Sequence, residues 1–152
     1  MDISIKRASP EDASNILALQ KVAYQSEALL CNDWTIPPLT QTQPEIEAEF
    51  QSKVFWKVVK EERIVGSVRA SMDGDTCFIG RLIVHPDFQR KGIGTRLLLE
   101  TEEFFLRAKR FELFTGSKSI NNIRLYQRLG YQVYREDNLS PKVRIVFMEK
   151  RP

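Results

Sequence analysis

The sequence is poor in the residues that build metal sites and disulfide frameworks. It has a single histidine, His85, and two cysteines, Cys31 and Cys77, which form no C-x-x-C motif. Structural zinc sites need four such ligands, and small disulfide-held domains need more than one cysteine pair. The composition therefore predicts no metal site and no disulfide scaffold, and it favours a reducing compartment.

Long apolar runs and a strong charge of one sign are missing as well. No run approaches the ~20 apolar residues that a membrane helix needs, and the first seven residues contain no hydrophobic signal core. The formal net charge is +3, from 23 basic and 20 acidic residues. Nucleic-acid binders carry a much clearer basic patch, so this balance argues against a nucleic-acid partner. We expect a cytoplasmic protein that has no membrane partner.

What is present is the composition of an ordinary globular domain. The chain has 152 residues, of which 42% are hydrophobic and 28% are charged. A domain of this length buries roughly 68–70% of the surface of its unfolded chain, which is enough for a core without metal or disulfide support. We therefore expect one domain over residues 1–152.

The first third of the chain is predicted to be mainly helical. Ser9 can cap a helix that has Pro10 in its first turn, whereas Pro37 and Pro38 forbid a continuous helix further on. In order, we predict a short strand around Ile3–Ile5, a helix from Ser9 to Tyr24, an irregular segment Cys31–Gln43 and a short helix Pro44–Phe50.

The rest of the chain is predicted to form a sheet with two further helices. Asp73-Gly74 is a strong hairpin signal, and Gly130 suits the left-handed cap that ends a helix. The predicted strands are Val54–Val59, Ile64–Val68, Cys77–Val84, Phe111–Phe114, Tyr131–Arg135 and Val143–Met148. One helix has Leu97, Thr101, Phe104, Phe105 and Ala108 on its apolar face, and the other covers Asn122–Leu129. Because a helix joins the third and fourth of these strands, that pair is predicted to be parallel.

The loop between the buried strand and the first of these helices has the features of a phosphate-binding loop. A helix that begins there leaves its first N–H groups without partners and places the positive end of its dipole at the loop. Gly92 and Gly94 let an anion approach the backbone closely, and Arg90 and Lys91 add positive charge. The alternative is an ordinary glycine-containing turn with solvated basic residues. A nucleotide P-loop and a dinucleotide fingerprint both fail, since no G-x-x-x-x-G-K-[ST] run exists and Leu97 stands where the third glycine would be.

Two motifs together resemble those of the GNAT superfamily of N-acetyltransferases. Gln89-Arg90-Lys91-Gly92-Ile93-Gly94 follows an apolar strand and matches the family's [QR]-x-x-G-x-[GA] loop. Leu125-Tyr126-Gln127-Arg128-Leu129-Gly130-Tyr131 matches its L-Y-x-x-x-G-[FY] motif. The order of elements agrees over nearly the whole chain. The resemblance implies an α+β fold, with a central mixed, mostly antiparallel sheet flanked by helices and a splayed parallel strand pair at the cofactor site.

The resemblance also implies an activity. Members of this family use acetyl-CoA as co-substrate and transfer its acetyl group to an amine. For this chain it implies direct transfer to a primary amine of a small molecule or peptide. The alternative is a non-catalytic acyl-CoA-binding sensor or partner module. Dimers are common among relatives, so a homodimer stays open.

The resemblance assigns roles to particular residues. Backbone groups of the strand Leu82, Ile83 and Val84 would bind the pantetheine arm. Tyr126 would be the general acid that protonates the departing thiolate. The pyrophosphate would be held by the amides of Gln89, Arg90, Lys91, Gly92, Ile93, Gly94 and Thr95.

One position departs from the family pattern. Many members carry asparagine seven residues before the tyrosine, where this sequence has Ser119. Asn122 lies on the helical stripe of Tyr126 and is our candidate to take over a cofactor contact, since a polar ligand along that face would supply its hydrogen-bond partners. The alternative is that the stripe is simply core and Tyr126 a buried aromatic.

No residue is an obvious general base. The strand Cys77–Val84 carries no acid, so Glu27 and Asp33 on the expected acceptor side are the candidates, with plain surface acids as the alternative. Trp34 begins an apolar segment that either lines the acceptor pocket or covers the sheet. A structural role suits His85 better than a catalytic one, and a core role suits Cys77 better than an acetyl-enzyme.

Overall fold

The computed structural model describes residues 3–152. Its strands are, in chain order, β1 (Ser4–Arg7), β2 (Val54–Lys60), β3 (Arg63–Asp73), β4 (Thr76–Val84), β5 (Arg110–Gly116), β6 (Gln132–Ser140) and β7 (Val143–Lys150). They form a seven-stranded sheet in the order β1-β2-β3-β4-β5-β7-β6. Neighbouring strands are antiparallel except β4 and β5, which are parallel. The predicted α+β fold with a mixed, mostly antiparallel sheet is confirmed.

The helices are α1 (Ala13–Ala23), α2 (Gln25–Cys31), α3 (Pro37–Thr40), α4 (Gln43–Glu49), α5 (Ile93–Phe104) and α6 (Ile120–Arg128). The first four connect β1 to β2. Helix α5 makes the crossover from β4 to β5 and so forms the predicted βαβ unit. Helix α6 links β5 to the β6–β7 hairpin, and Gly130 follows it with the expected positive φ of 98°.

The segment between Tyr24 and Gln43 is more helical than the sequence predicted. Helix α2 begins directly after Tyr24, where the backbone leaves the helical path, and ends at Asn32 in the left-handed conformation (φ 52°). The prediction of an irregular segment is wrong at Pro37–Thr40, because proline is compatible with the first turn of a helix and excludes only its interior. The segment therefore consists of two short helices, α2 and α3, joined by turns, and α2 lies beside the end of the sheet.

Apolar side chains fill both sides of the sheet. On one side α5 and α6 contribute Leu97, Leu98 and Tyr126 to the larger cluster of buried side chains. On the other side Ile16 of α1 and Ile46 of α4 pack with Phe55 of β2. Burial of these side chains from water is the main favourable term in the stability of the two layers.

Helix α5 is shorter than its predicted apolar stripe. Leu97 and Thr101 are buried as expected, but the helix ends at Phe104, and Ala108 is buried in the connection that follows. Phe104 is 51% exposed, and its ring contacts the edge of Trp56. The prediction that Phe104 lies on the buried apolar face is therefore wrong, because the helix ends at this residue and its side chain lies away from the core.

Strands β4 and β5 diverge soon after they meet. Their parallel ladder pairs Thr76–Phe78 with Arg110–Glu112 and then stops. Strand β4 stays paired with β3, but a bulge shifts the register, because Ser67 pairs with Ile83 whereas Arg69 pairs with Gly80. Arg81 is at this bulge and has a positive φ of 50°. The predicted splayed parallel pair is confirmed, and the bulge bends β4 where the splay begins.

Candidate active site

The connection from β4 to α5 is held by hydrogen bonds around His85. The His85 N–H donates to Val65 O at 2.8 Å, and its Nδ1 accepts from the Asp87 N–H at 3.1 Å. The Gln89 side chain donates to Val84 O at 3.2 Å. His85 therefore supports the turn that leads into the loop, which is the structural role that the sequence favoured.

The loop itself has two residues in the left-handed conformation. Arg90 has φ 62° and Gly92 has φ 82°, and Gly92 is the residue directly before α5. The Arg96 N–H makes the first helical bond, to Gly92 O at 3.1 Å, so the N–H groups of Ile93, Gly94 and Thr95 have no partner within the helix. Left-handed residues that lead into a helix N-terminus turn successive N–H groups toward one side, which favours an anion.

A large cleft begins at this loop and runs between the diverging strands. Its volume is about 1130 Å³. Most of the residues assigned to the cofactor line it: Leu82, Ile83, Val84, Gln89, Arg90, Gly92, Ile93, Gly94, Thr95, Asn122 and Tyr126. Lys91 is exposed and lies outside the lining. The two motifs, about thirty residues apart in the sequence, thus face one space.

Tyr126 of α6 lies in the wall of the cleft. It is 5% exposed, and its ring is packed against Tyr131 with the centroids 6.1 Å apart. Its hydroxyl has no hydrogen-bond partner among residues 3–152. Burial and the nearby Tyr24 and Glu27 raise the pKa of Tyr126 well above its ordinary value of 10. The group is therefore a protonated hydroxyl at any physiological pH, and both its functional and its core interpretation are consistent with the packing.

Asn122 finds its partners within the protein. Its side-chain amide donates to Thr115 Oγ1 at 3.3 Å and to Glu27 Oε1 at 3.4 Å. These two bonds satisfy the donor group of the amide without a ligand, and the cofactor contact of Asn122 stays a prediction. Ser119, where many relatives carry asparagine, also donates its hydroxyl to the Glu27 carboxylate. The two polar residues near Tyr126 both hold Glu27.

Glu27 is the one acidic residue in the lining of the cleft among residues 3–152. It projects from α2 toward the end of β5, where a Cβ on Gly116 would come within 3.1 Å of its carboxylate. Burial raises the pKa of Glu27, and the hydrogen bond from Ser119 only partly offsets this. A carboxylate with a raised pKa, held by a serine and an amide, has the properties of a general base.

Asp33 and Trp34 stand apart from this arrangement, since neither lines the cleft. The Asp33 carboxylate accepts from the N–H and the hydroxyl of Thr35, at 2.9 and 2.6 Å, and these bonds lower its pKa. Trp34 is 51% exposed. Of the apolar segment that Trp34 begins, Ile36, Pro37 and Pro38 are the residues that reach the cleft.

Among the residues of the cleft to which the sequence analysis gave no role are a tyrosine and an arginine. Tyr24 lies at the end of α1, and Arg81 lies at the bulge of β4. A charged residue next to glycine inside an otherwise apolar strand was the available signal for Arg81. Tyr24 had no such signal, because helical aromatics are usually core residues.

The thiol of Cys77 takes no part in this cleft. Cys77 is fully buried outside the lining, and burial raises the pKa of its thiol to about 12. Such a thiol is not ionised at neutral pH, which agrees with its predicted core role. Within residues 3–152, no group of three or more His, Cys, Asp or Glu side chains is arranged to hold a metal.

Comparison with known proteins agrees with this geometry. The sequence model of the Acetyltransferase (GNAT) family matches residues 18–131, so the chain belongs to the GNAT acetyltransferase family. The UPF0157 protein YqkA of Bacillus subtilis is 30% identical over 120 residues, which are 79% of this chain and 34% of that protein. The chain spans 34% and 49% of the lengths of the two curated relatives that it matches.

Solved structures share the fold at low sequence identity. The paia N-acetyltransferase of Thermoplasma acidophilum, in complex with coenzyme A, has a TM-score of 0.82 and 17% identity, with 100% of both chains covered. YncA of Salmonella typhimurium, a putative acetyltransferase with its cofactor acetyl-CoA, has a TM-score of 0.77 and 18% identity, with 99% of this chain and 94% of that chain covered. Among residues 3–152, no helix is both long and apolar enough to cross a membrane.

Proposed function

We propose that this chain is an acetyl-CoA-dependent N-acetyltransferase that transfers an acetyl group directly to a primary amine of a small molecule or peptide. The observation that carries the proposal is the arrangement of Tyr126 and Glu27. They lie in one cleft that also contains the N-terminus of α5. The amines on which relatives act support the acceptor class.

The cleft fits acetyl-CoA as co-substrate. From Ile79 onward, the edge of β4 that faces β5 has no ladder partner, so its backbone groups are available to the amides of a pantetheine arm. The loop Gln89–Thr95 offers N–H groups to the pyrophosphate, with Arg90 beside it. When bound, acetyl-CoA supplies the acetyl group as an activated thioester.

Glu27 is assigned the role of general base. A lysine-like amine has a pKa of about 10.4, so it must lose a proton before it can attack. The Glu27 carboxylate accepts that proton, directly or through one water, while Ser119 and Asn122 hold it in place. Its raised pKa makes it a stronger base than an ordinary surface glutamate.

Tyr126 is assigned the role of general acid. Its hydroxyl has no partner among residues 3–152 and is therefore available to donate its proton to the departing sulfur. A tyrosine hydroxyl is a usable donor at neutral pH because it stays protonated there. The tyrosine then recovers its proton from solvent or from the acceptor.

Free thiol release from acetyl-CoA, measured against a panel of primary amines, tests the proposal. The proposal is supported if the wild type releases thiol only when an amine is present, and if Glu27→Gln and Tyr126→Phe each lose this release. If acetyl-CoA raises the melting temperature but no amine causes thiol release, the non-catalytic acyl-CoA sensor is the better description. If acetyl-CoA does not bind at all, both descriptions fail.

A further inference from the structure

The wall of the cleft contains an arginine without an acidic partner among residues 3–152. Arg81 lines the cleft at the β4 bulge. Within residues 3–152 no carboxylate lies within salt-bridge distance of it. Arg144 of the cleft pairs with Glu136 at 2.7 Å, whereas Arg90, Arg124 and Arg128 of the lining, like Arg81, have no acidic partner among residues 3–152. The Arg81 guanidinium lies beside the Tyr24 hydroxyl, but no carboxylate balances its charge, so it can bind an anion.

The backbone at Arg81 is strained in a way that points to function. A non-glycine residue in the left-handed region is strained, and such residues cluster at ligand sites. The bulge inserts an extra residue into β4. Beyond the bulge, the alternation of side chains between the two faces of the sheet is therefore shifted by one residue. Ile79 and Leu82 both pack on the α5 side. Arg81 is thereby released from that core face.

Arg81, Glu27 and Tyr24 line the same cleft. Burial raises the pKa of Tyr24, the Arg81 guanidinium lowers it and the Glu27 carboxylate raises it, so both charges are close to this ring. The two charges do not form an ion pair with each other in the structure, and Glu27 instead accepts from Ser119. Opposite charges that share one cleft without pairing suit a ligand that carries both an amine and an acid.

We propose that Arg81 binds a carboxylate of the acceptor, so that the substrate is a small amine that also carries a carboxylate group. This inference rests on the proposed acetyltransferase function. The amine is directed to Glu27, and the carboxylate forms a charge-assisted hydrogen bond with the guanidinium. The apolar side chains of Leu30, Ile36 and Phe114, which also line the cleft, accommodate the remainder of the molecule.

The test compares each amino acid with its own amide, for example phenylalanine with phenylalaninamide, by thiol release from acetyl-CoA. The wild type and Arg81→Gln are measured side by side. For each pair we take the ratio of kcat/KM for the amino acid to kcat/KM for its amide. The intrinsic reactivity of each amine is the same with both enzymes, so a change in this ratio measures the effect of the Arg81 guanidinium on recognition of the carboxylate. We expect Arg81→Gln to lower that ratio about 10- to 100-fold, Arg81→Lys to lower it less, and KM for acetyl-CoA to stay the same.

Further variants locate the effect. Arg63→Gln, in an exposed arginine of β3 outside the cleft, should leave the ratio unchanged. Arg81→Glu should favour the amides and diamines over the acids. An unchanged ratio in Arg81→Gln would overturn the proposal. So would a ratio that collapses instead in Arg144→Gln, because the anion would then bind at the β7 side of the cleft.

A binding measurement covers the case in which no panel member is acetylated. Amino acids should raise the melting temperature of the coenzyme A-loaded wild type but not that of loaded Arg81→Gln. If neither protein responds to any amino acid, the carboxylate subsite is refuted, whatever the enzyme proves to do. If both respond equally, the acid binds elsewhere and the proposal fails as well. Binding of acetyl-CoA by Arg81→Gln shows that the variant is folded.

Discussion

At the scale of single residues, the hydroxyl of Tyr126 is the most testable group. Tyr126→Phe removes one oxygen that has no hydrogen-bond partner among residues 3–152, so the packing against Tyr131 should persist. We expect turnover to fall roughly 10²–10⁴-fold while the Kd of acetyl-CoA changes by no more than a few-fold. Steady-state kinetics and calorimetric titration measure the two quantities.

Tyr131 provides a matched control for this change. Its hydroxyl donates to Glu102 at 2.8 Å, and the residue is 1% exposed. Tyr131→Phe should therefore lower the free energy of unfolding by about 1 kcal/mol and leave turnover nearly intact. If the turnover of Tyr126→Phe stays within threefold of wild type while chemistry limits the rate, Tyr126 is not the general acid and is only a core residue.

Glu27 links activity to stability through its raised pKa. Because burial raises the folded pKa above the ordinary 4.5, ionisation is easier in the unfolded chain. The contribution of Glu27 to stability is therefore complete below pH 4.5 and is lost as the pH rises through the folded pKa. Glu27→Gln should remove this loss of stability at high pH, so its melting temperature at pH 8 should equal or exceed that of the wild type. Its turnover should fall about 10²-fold or more.

Ser119 gives the same proposal a second readout. Its hydroxyl bond lowers the pKa of Glu27, so Ser119→Ala should raise that pKa further and move the acidic limb of the kcat/KM profile to higher pH. Glu27→Gln should abolish that limb. A pH profile that is the same in wild type and Ser119→Ala would contradict the assignment of Glu27 as the base.

Sequence reasoning identified some of these residues and not others. Tyr126 and the loop glycines belong to local motifs, so the printed sequence contains their signal. Ser119 and Asn122 bind Glu27, which lies more than ninety residues earlier, and no local pattern shows such a contact. The bulge that exposes Arg81 depends on how β3 and β4 pair, which local spacing does not determine.

At the scale of elements, the N-terminus of α5 and the gap between β4 and α6 form the cofactor side of the cleft. A Cβ on Gly94 would lie 3.4 Å from Leu125 and 3.8 Å from Leu82, which are ordinary contact distances. Alanine therefore fits, whereas the two extra methyl groups of valine extend into the gap. We expect Gly94→Val to raise the Kd of acetyl-CoA at least about tenfold, measured by titration.

Gly94→Ala is the control for this change because it adds one methyl group at contact distance. It should bind acetyl-CoA within a few-fold of wild type. Equal losses in the two variants would mean that flexibility of the loop, rather than the space between β4 and α6, determines binding. If Gly94→Val binds acetyl-CoA with wild-type affinity, the gap between β4 and α6 is not part of the cofactor site.

The strands were more predictable than the short helices. Alternating apolar residues and turn signals such as Asp73-Gly74 mark strands locally, and each predicted strand is present. Helices α2 and α3 have seven and four residues, which is too short for a periodic pattern, and Pro37-Pro38 indicated a break rather than a start. The bounds of these helices follow from packing against the sheet, which the local sequence does not contain.

At the scale of the whole molecule, one cleft joins parts of the chain that are distant in sequence. Its basic residues far outnumber its single acid, Glu27, among the residues that the structure describes; they are Arg81, Arg90, Lys118, Arg124, Arg128, Lys142 and Arg144. The net charge of +3 did not show this concentration, because basic and acidic residues nearly balance over the chain. The cleft is therefore suited to strongly anionic ligands.

Binding of such a ligand should stabilise the entire fold. Acetyl-CoA at 100 times its Kd adds about 2.7 kcal/mol to the free energy of unfolding, since it binds only the folded chain. For a chain of this length, that is a rise in melting temperature of about 5–10 °C. Pantetheine, which lacks the phosphates bound at the α5 N-terminus, should give a far smaller rise at equal concentration. A melting temperature that acetyl-CoA at millimolar concentration leaves unchanged would refute cofactor binding, because every residue assigned to it belongs to the same folded unit.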